Sequence, residues 1–322
     1  MNPGPIEAGI EAASKLDVEE RRVVSFDGTE LAYHVAGDGP PILLANGLGG
    51  SFQAWTHQIR HFEAHYRLIS WDQRGLYRSG APSDRGALDV PAHARDALAV
   101  LDAEEIPKAV IWGWSMGTQV ALELWRRAPD RIAAIVLING VAGKPWSTLA
   151  HLPSMVHVVP RLLSSLRRSP QVVSACTKRA AMWKGTPLWA KRLGLAGASL
   201  DVQLFSELAQ SFGELDMEIF VHTLEQLGEH DAHDVLPNIQ VPLLVVAGGR
   251  DRMTPQGAAE RIVREVPNAE LLVVPGGTHY VALEYPELVN LRIERFLRDR
   301  GWPPKGSDFW RRSSRPPATG GR

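Results

Sequence analysis

The sequence predicts an α/β protein: a mostly parallel central sheet, helices on both of its faces, and a helical segment inserted between two halves of that sheet. Three observations carry this expectation. Short, nearly all-apolar runs recur along the chain, as central strands covered on both sides require. Amphipathic helical stripes separate those runs. The alternation then stops from about 142 to 232, where helix-like stretches, three tryptophans (Trp146, Trp183 and Trp189) and many Leu and Arg leave no convincing strand.

The elements follow in order. Residues 1–20 are acidic and rich in small residues, and read as an N-terminal extension with one loose helix. "VVSFDGTELAYHV" reads as a hairpin turning at Asp27-Gly28. The apolar strand candidates are Ile42–Ala45, Leu68–Trp71, Ala109–Trp112, Ile132–Ile138, Val241–Ala247 and Leu271–Val274. Between them, Trp55, Ile59 and Phe62 recur at helical spacing behind Ser51, read as a cap. Leu98 and Leu101, then Val120, Ala121 and Leu124, keep the same period. Thr254-Pro255 reads as a helix start, and Val289, Ile293 and Phe296 stripe a last helix after Pro286. The core is therefore expected over 21–141 and 233–300, with the insertion at 142–232. The Pro-, Gly-, Ser- and Arg-rich stretch 301–322 reads as a flexible tail.

Composition narrows the partners. At 322 residues with 44% hydrophobic and 22% charged residues, the chain has the balance of an ordinary globular protein. A net charge of −1 supplies no bulk field for nucleic acid or an anionic membrane. Cys176 is the only cysteine, which rules out an internal disulfide and argues against a thiolate metal site. The first residues lack the basic and apolar blocks of a signal peptide, and no apolar run reaches membrane-spanning length. The expectation is a cytoplasmic protein, monomer or homodimer, acting on a small molecule without cofactor or metal.

The chemistry is concentrated in "AVIWGWSMGTQVALELW". An apolar strand ends at Trp112, and Gly113-Trp114-Ser115-Met116-Gly117 turns directly into a helix. G-x-S-x-G between a strand and a helix forces a tight turn that projects the Ser115 hydroxyl at the helix N-terminus. A serine hydroxyl needs a base, and the base needs an orienting group. Asp251 follows the strand candidate Val241–Ala247, and His279 follows Leu271–Val274. Strand ends on one edge of an α/β sheet bring such side chains together. Asp251 would accept from His279 Nδ1–H, and His279 Nε2 would take the Ser115 proton.

The loop "ANGLGGSF" after Ile42–Ala45 holds Gly47, Gly49 and Gly50. A dinucleotide fingerprint fails there, because Phe52 or Ser51 occupies the position where a glycine is needed. An oxyanion hole needs only bare backbone beside the nucleophile, with the Leu48 and Met116 amides as donors. "EHDAHD" places His230 and His233 beside Asp231 and Asp234, but a polar loop before a strand accounts for it better than a metal site.

With these motifs in place, the chain resembles α/β-hydrolase fold enzymes of the esterase type over roughly 21–300. "GWSMG" is similar to their nucleophile elbow, "GGRDRMTP" to the acid turn and "GGTHYVALEYPE" to the histidine loop. "WDQRGLYRSG" is similar to their D-x-R-G-x-G-x-S segment. The resemblance implies that 142–232 is a helical cap over the active site, and Trp114, Asn46 and Tyr280 are expected at the substrate. Two departures stand out: Asn46-Gly47 replaces the usual His-Gly, and Tyr77 replaces a small residue, either as a surface change or as a wall near the mouth.

Serine at the nucleophile position favours acyl transfer to water over dehalogenase or epoxide hydrolase chemistry, where the family position is normally Asp. Carboxylic ester hydrolysis leads. A lactonase, a C–C bond hydrolase, an aminopeptidase or a polyhydroxyalkanoate-type depolymerase would use the same three residues. "DQRG" resembles proline iminopeptidases, without their H-G-G-P-G motif. A ligand receptor that has kept its triad is the reading outside catalysis, and a nicotinamide oxidoreductase is disfavoured by the failed fingerprint.

Overall fold

The computed structural model describes residues 17–146, 161–162, 165–166, 169–183, 185–192 and 194–302. Most of both expected end segments, 1–16 and 303–322, lies outside them.

Eight strands form one sheet: β1 (Val18–Val24), β2 (Glu30–Ala36), β3 (Pro41–Ala45), β4 (Arg67–Trp71), β5 (Ala109–Trp114), β6 (Ile132–Ile138), β7 (Leu243–Gly248) and β8 (Ala269–Val274). Their spatial order is β1-β2-β4-β3-β5-β6-β7-β8. The β1–β2 and β2–β4 pairs are antiparallel and every other pair is parallel. β1 starts at Val18, inside the stretch assigned above to the extension, with Val18 opposite Ala36. Glu19, Glu20, Arg21 and Arg22 serve a solvated edge, so no apolar run announces this first part, while Val23 and Val24 form the expected hairpin with β2.

Alternate residues of the strands face two cores. Leu43, Ile111, Ile135 and Val245 pack against α2 (Val90–Ala103), α3 (Met116–Arg127) and α8 (Gln256–Glu265). Leu44, Trp112, Val136 and Val246 pack against α1 (Thr56–Phe62) and α10 (Pro286–Asp299). This period of two, buried on both sides, is why the central strands read as continuous apolar runs. Ser51 does not cap α1. A 3₁₀ turn, Phe52–Trp55, intervenes, and the buried Ser51 hydroxyl makes no hydrogen bond among the described residues.

Between β6 and β7 lie α4 (Pro170–Ala181), α5 (Thr186–Arg192), α6 (Val202–Gly213) and α7 (Met217–Glu229). Asp201 caps α6 by accepting from the Leu204 amide at 3.0 Å, and Asp216 caps α7 through Glu218 and Ile219. Leu215, Met217 and Ile219 pack on Leu76 and Leu88 of the segment after β4. A short turn, α9 (Val281–Glu284), follows β8 and precedes α10.

The segment after β4 is fastened from below. Fully buried Arg74 donates from Nε to Asp96 at 2.8 Å, and from Nη1 to Asp27 and the Ala87 carbonyl at 2.8 Å each. Ser25 donates to Asp96 at 2.6 Å. A buried guanidinium tolerates desolvation only when its donors are matched in this way. The result is a rigid base for residues 72–80, which reach the functional site.

Candidate active site

Ser115 sits between β5 and α3 with φ 55° and ψ −115°, a strained conformation for a residue with a side chain. The flanking glycines are a steric requirement. A Cβ on Gly113 would lie 2.2 Å from the Gly117 carbonyl oxygen, and one on Gly117 would lie 2.0 Å from that of Ala45. The Ser115 amide donates to Ile138 at 3.0 Å, which ties the turn to β6.

His279 and Asp251 meet this serine from the ends of β8 and β7. His279 Nε2 lies 3.0 Å from Ser115 Oγ, and Nδ1 lies 2.8 Å from Asp251 Oδ2. An ionised carboxylate only accepts, so Nδ1 carries the proton and Nε2 is left to accept from the serine hydroxyl. Burial raises the Asp251 carboxyl, but the His279 hydrogen bond and charge, with the Thr254 hydroxyl and amide, outweigh it and hold the group below the ordinary Asp range. Thr254 donates its hydroxyl to Oδ2 at 2.5 Å, while the Met253 and Thr254 amides donate to Oδ1 at 2.7 and 3.0 Å. Thr254, read as a helix start, therefore serves the acid turn, and Pro255 alone precedes α8.

The histidine loop is held by residues that the motif comparison passed over. Asn139, at φ 44°, donates to the Thr278 carbonyl at 2.7 Å and accepts from the Gly248 amide at 2.7 Å. Buried Glu284 accepts from the Thr278 amide at 2.7 Å, the Thr278 hydroxyl at 2.6 Å and the Gly197 amide at 2.5 Å. It thus joins the histidine loop to the helical insertion. Its signal in sequence is a lone acid among apolar residues in "HYVALEY".

The glycine loop passes beside the serine. Leu48 and Met116 line the same cavity as Ser115, and the Met116 amide opens α3 with no intrahelical acceptor. Gln73 donates to the Asn46 and Gly47 carbonyls at 3.2 Å each and accepts from the Gly49 amide at 3.0 Å. Tyr77 donates to the Gly49 carbonyl at 2.6 Å. Tyr77 has φ 52°, the left-handed region that glycine enters freely, which explains why a small residue suits that motif position.

Asn46 does not reach the cavity, contrary to its expected place at the substrate. Its Nδ2 donates to Ser70 and to the Trp71 carbonyl at 3.0 Å each, and its Oδ1 accepts from Trp55 at 2.6 Å. The side chain is fully used in bracing the loop beneath β3 and β4. Trp114 and Tyr280 do line the cavity, and Trp114 donates to the His279 carbonyl at 3.1 Å. Trp112 is core.

The cavity over Ser115 measures about 430 Å³, with Trp146, Phe212, Phe220, Leu224 and Leu227 among its walls and Arg252 and Met253 in its lining. A second cavity of about 320 Å³ shares Leu48, Trp114, Phe212 and Tyr280 with it, and Tyr77 is part of its wall. His230, His233, Asp231 and Asp234 serve a surface loop: His230 Nδ1 meets Gln119 at 2.6 Å, His233 Nδ1 meets Asp231 at 3.0 Å and Asp234 pairs with Arg126.

A sheet of this order, with a serine on a strained strand-to-helix turn and a histidine and an aspartate at later strand ends, defines the class. The chain belongs to the alpha/beta hydrolase fold family, whose sequence profile matches residues 40–286. It is similar to a protein of Azorhizobium caulinodans named "Putative carbamate hydrolase RutD", with 27% identity over 264 residues, 81% of this chain and 92% of the relative. It is also similar to 3-oxoadipate enol-lactonase 2 of Acinetobacter baylyi, with 24% identity over 265 residues, 81% of this chain and 90% of the relative. Among solved structures, a hydrolase from Pseudomonas aeruginosa superposes with a TM-score of 0.68 at 25% identity, covering 87% of this chain and 98% of that one.

Proposed function

We propose that the protein is a serine hydrolase that cleaves carboxylic esters through an acyl-enzyme, with Ser115 as nucleophile, His279 as base and Asp251 as the group that orients it. The observation that carries the reading is the unbroken relay from Asp251 Oδ2 through both ring nitrogens of His279 to Ser115 Oγ, at 2.8 and 3.0 Å, opening into an apolar cavity. Ser115 Oγ attacks the ester carbonyl as His279 Nε2 takes its proton. The oxyanion accepts from the Leu48 and Met116 amides, held beforehand by Gln73, Tyr77 and the start of α3. His279 then returns the proton to the leaving alcohol, and water repeats the sequence to release the acid. Asp251, kept ionised by Thr254 and His279, stabilises the imidazolium formed at each step.

The helical insertion acts as the cap that shapes the pocket, since α6 and α7 supply Phe212, Phe220, Leu224 and Leu227 to its wall. The enol-lactonase relative makes lactones the second substrate class. A lactone is a cyclic ester and passes through the same two tetrahedral intermediates.

The test is hydrolysis of p-nitrophenyl esters from acetate to palmitate and of a lactone panel, with Ser115→Ala alongside and intact-mass analysis after a fluorophosphonate probe. The expected result is a single label on wild type, none on Ser115→Ala, and a loss in kcat of about 10⁴ or more in the variant. A folded wild type that neither labels nor hydrolyses any ester or lactone, or a variant that keeps its activity, would overturn the reading.

A further inference from the structure

The net charge of −1 conceals a strong asymmetry. Residues 142–200 hold nine Lys and Arg and no Asp or Glu, while the other residues of the chain hold 26 basic against 36 acidic side chains. At the overall share of acidic residues, about seven would be expected in a stretch of that length. A segment purged of acids is a local field that the total charge does not report.

Within this segment, the described residues put apolar side chains into water on the helices that carry Lys178, Arg179 and Arg192. Along α4, Val172, Ala175, Cys176 and Arg179 are all exposed at helical i, i+3, i+4, i+7 spacing, and Met182 and Trp183 continue the exposed run. Val172 is 63% exposed, Met182 66% and Trp183 54%, and in α5 Leu188 and Trp189 reach 59% and 47%. The Trp183 and Trp189 rings lie 6.3 Å apart, and the Arg192 guanidinium stands 5.9 Å from the Trp189 ring. Lys178, Arg179 and Arg192 are exposed, and none pairs with a carboxylate among the described residues. The segment also borders the site: Thr177, Ala180 and Ala181 of α4 line the second cavity, which shares four walls with the cavity over Ser115.

We propose that this face of α4 and α5 docks on the surface of an anionic lipid bilayer, bringing the helix that lines the second cavity to the lipid–water boundary. Charge complementarity selects the partner's sign. The mixture of groups selects its kind: tryptophan favours the headgroup layer, Val172, Met182 and Leu188 enter the acyl boundary, and Lys and Arg extend to lipid phosphates. A nucleic acid would pair the cations but leave the aliphatic side chains in water. Among the described residues no helix is long and apolar enough to cross a membrane, so the contact is one of surface docking. The docking does not depend on the ester reading, because it is measured as binding.

The experiment is co-sedimentation of the full chain with vesicles of phosphatidylcholine alone and of phosphatidylcholine with 30 mol% phosphatidylglycerol, a composition chosen for the assay, at low and high salt. Three variants run beside the wild type: Lys178→Glu with Arg179→Glu, Trp183→Ala with Trp189→Ala, and, in the basic tail, Arg311→Glu with Arg312→Glu. Binding is expected only to the anionic vesicles, weakened by salt, and lowered by about thirtyfold or more when the two α4 cations are reversed. The tryptophan pair should also weaken it, while both α4–α5 variants keep wild-type turnover of a soluble acetate ester as the check on folding. Absence of binding to anionic vesicles at low salt overturns the proposal. So does binding lost with the tail variant and kept with the α4 variant, binding to heparin but not to vesicles, or a dimer broken by the tryptophan pair in a chain that ignores vesicles.

Discussion

Tyr77→Phe removes one oxygen from the support of the glycine loop and leaves the ring in place. The hydroxyl donates to the Gly49 carbonyl at 2.6 Å. Burial, helped by the negative charge of Asp72, pushes its phenol up, so it remains a protonated donor at any working pH. A single hydrogen bond of this kind contributes about 0.5–1.5 kcal/mol net. Outright loss of an oxyanion donor costs about 2.7–4 kcal/mol, which sets the ceiling. Gln73 still holds both sides of the loop in the variant, so the lower range applies. The expectation is a three- to tenfold fall in kcat for p-nitrophenyl acetate, equal to about 0.7–1.4 kcal/mol, with KM unchanged. A trifluoromethyl ketone that mimics the tetrahedral intermediate should lose affinity by the same factor. Unchanged kcat with a raised KM for long esters would refute the bracing role and leave Tyr77 as a wall of the second cavity.

Other perturbations test neighbouring parts of the site. Ser115→Gly relieves a positive φ costing about 1–3 kcal/mol, offset by about 0.5–1 kcal/mol of added chain freedom, so Tm should rise by about 1–2 °C as turnover disappears; a lower Tm would show the turn is not strained. Glu284→Gln places an amide donor against three donors from Thr278 and Gly197, and should cost about 1–3 kcal/mol by urea unfolding and reduce turnover; wild-type stability would contradict that network. The folded Asp251 carboxyl titrates below the ordinary Asp value of 3.8, so its contribution to stability is present above about pH 4 and is lost as pH falls through the lower folded value. Urea midpoints between pH 5 and 3 should therefore fall more steeply for wild type than for Asp251→Asn, and equal slopes would count against the shift.

Local pattern and distant contact contributed differently to what could be read in advance. Central strands buried on both faces must be apolar along their whole length, so the runs at β3 to β7 were visible without any structure. The turn at Ser115 was visible too, because G-x-S-x-G is a local pattern between a strand and a helix: Gly113 answers a steric demand made within five residues, while Gly117 makes room for the Ala45 carbonyl of β3. Strand ends on one side of an α/β sheet converge, which let Asp251 and His279 be paired with Ser115 across 136 and 164 positions of chain. The end of β1 was read in the hairpin, but its start at Val18–Arg22 escaped because a solvated edge strand carries no apolar signature, and Ser51 misled because a serine before an amphipathic stripe looks the same whether or not its hydroxyl finds an amide.

What the sequence by itself determined is the order of the layers, the elbow and the three side chains expected to meet beside it, set by periodicity, by turn stereochemistry and by the convergence of strand ends in an α/β sheet. Only the tertiary structure decided that Asn46 braces the loop rather than faces the cavity, that Gln73 and Tyr77 clamp Gly49, and that Glu284 ties the histidine loop to Gly197. Each of those outcomes depends on which buried donor meets which acceptor after segments far apart in the chain have packed, and a polar side chain read alone has no preference among partners it has not yet met.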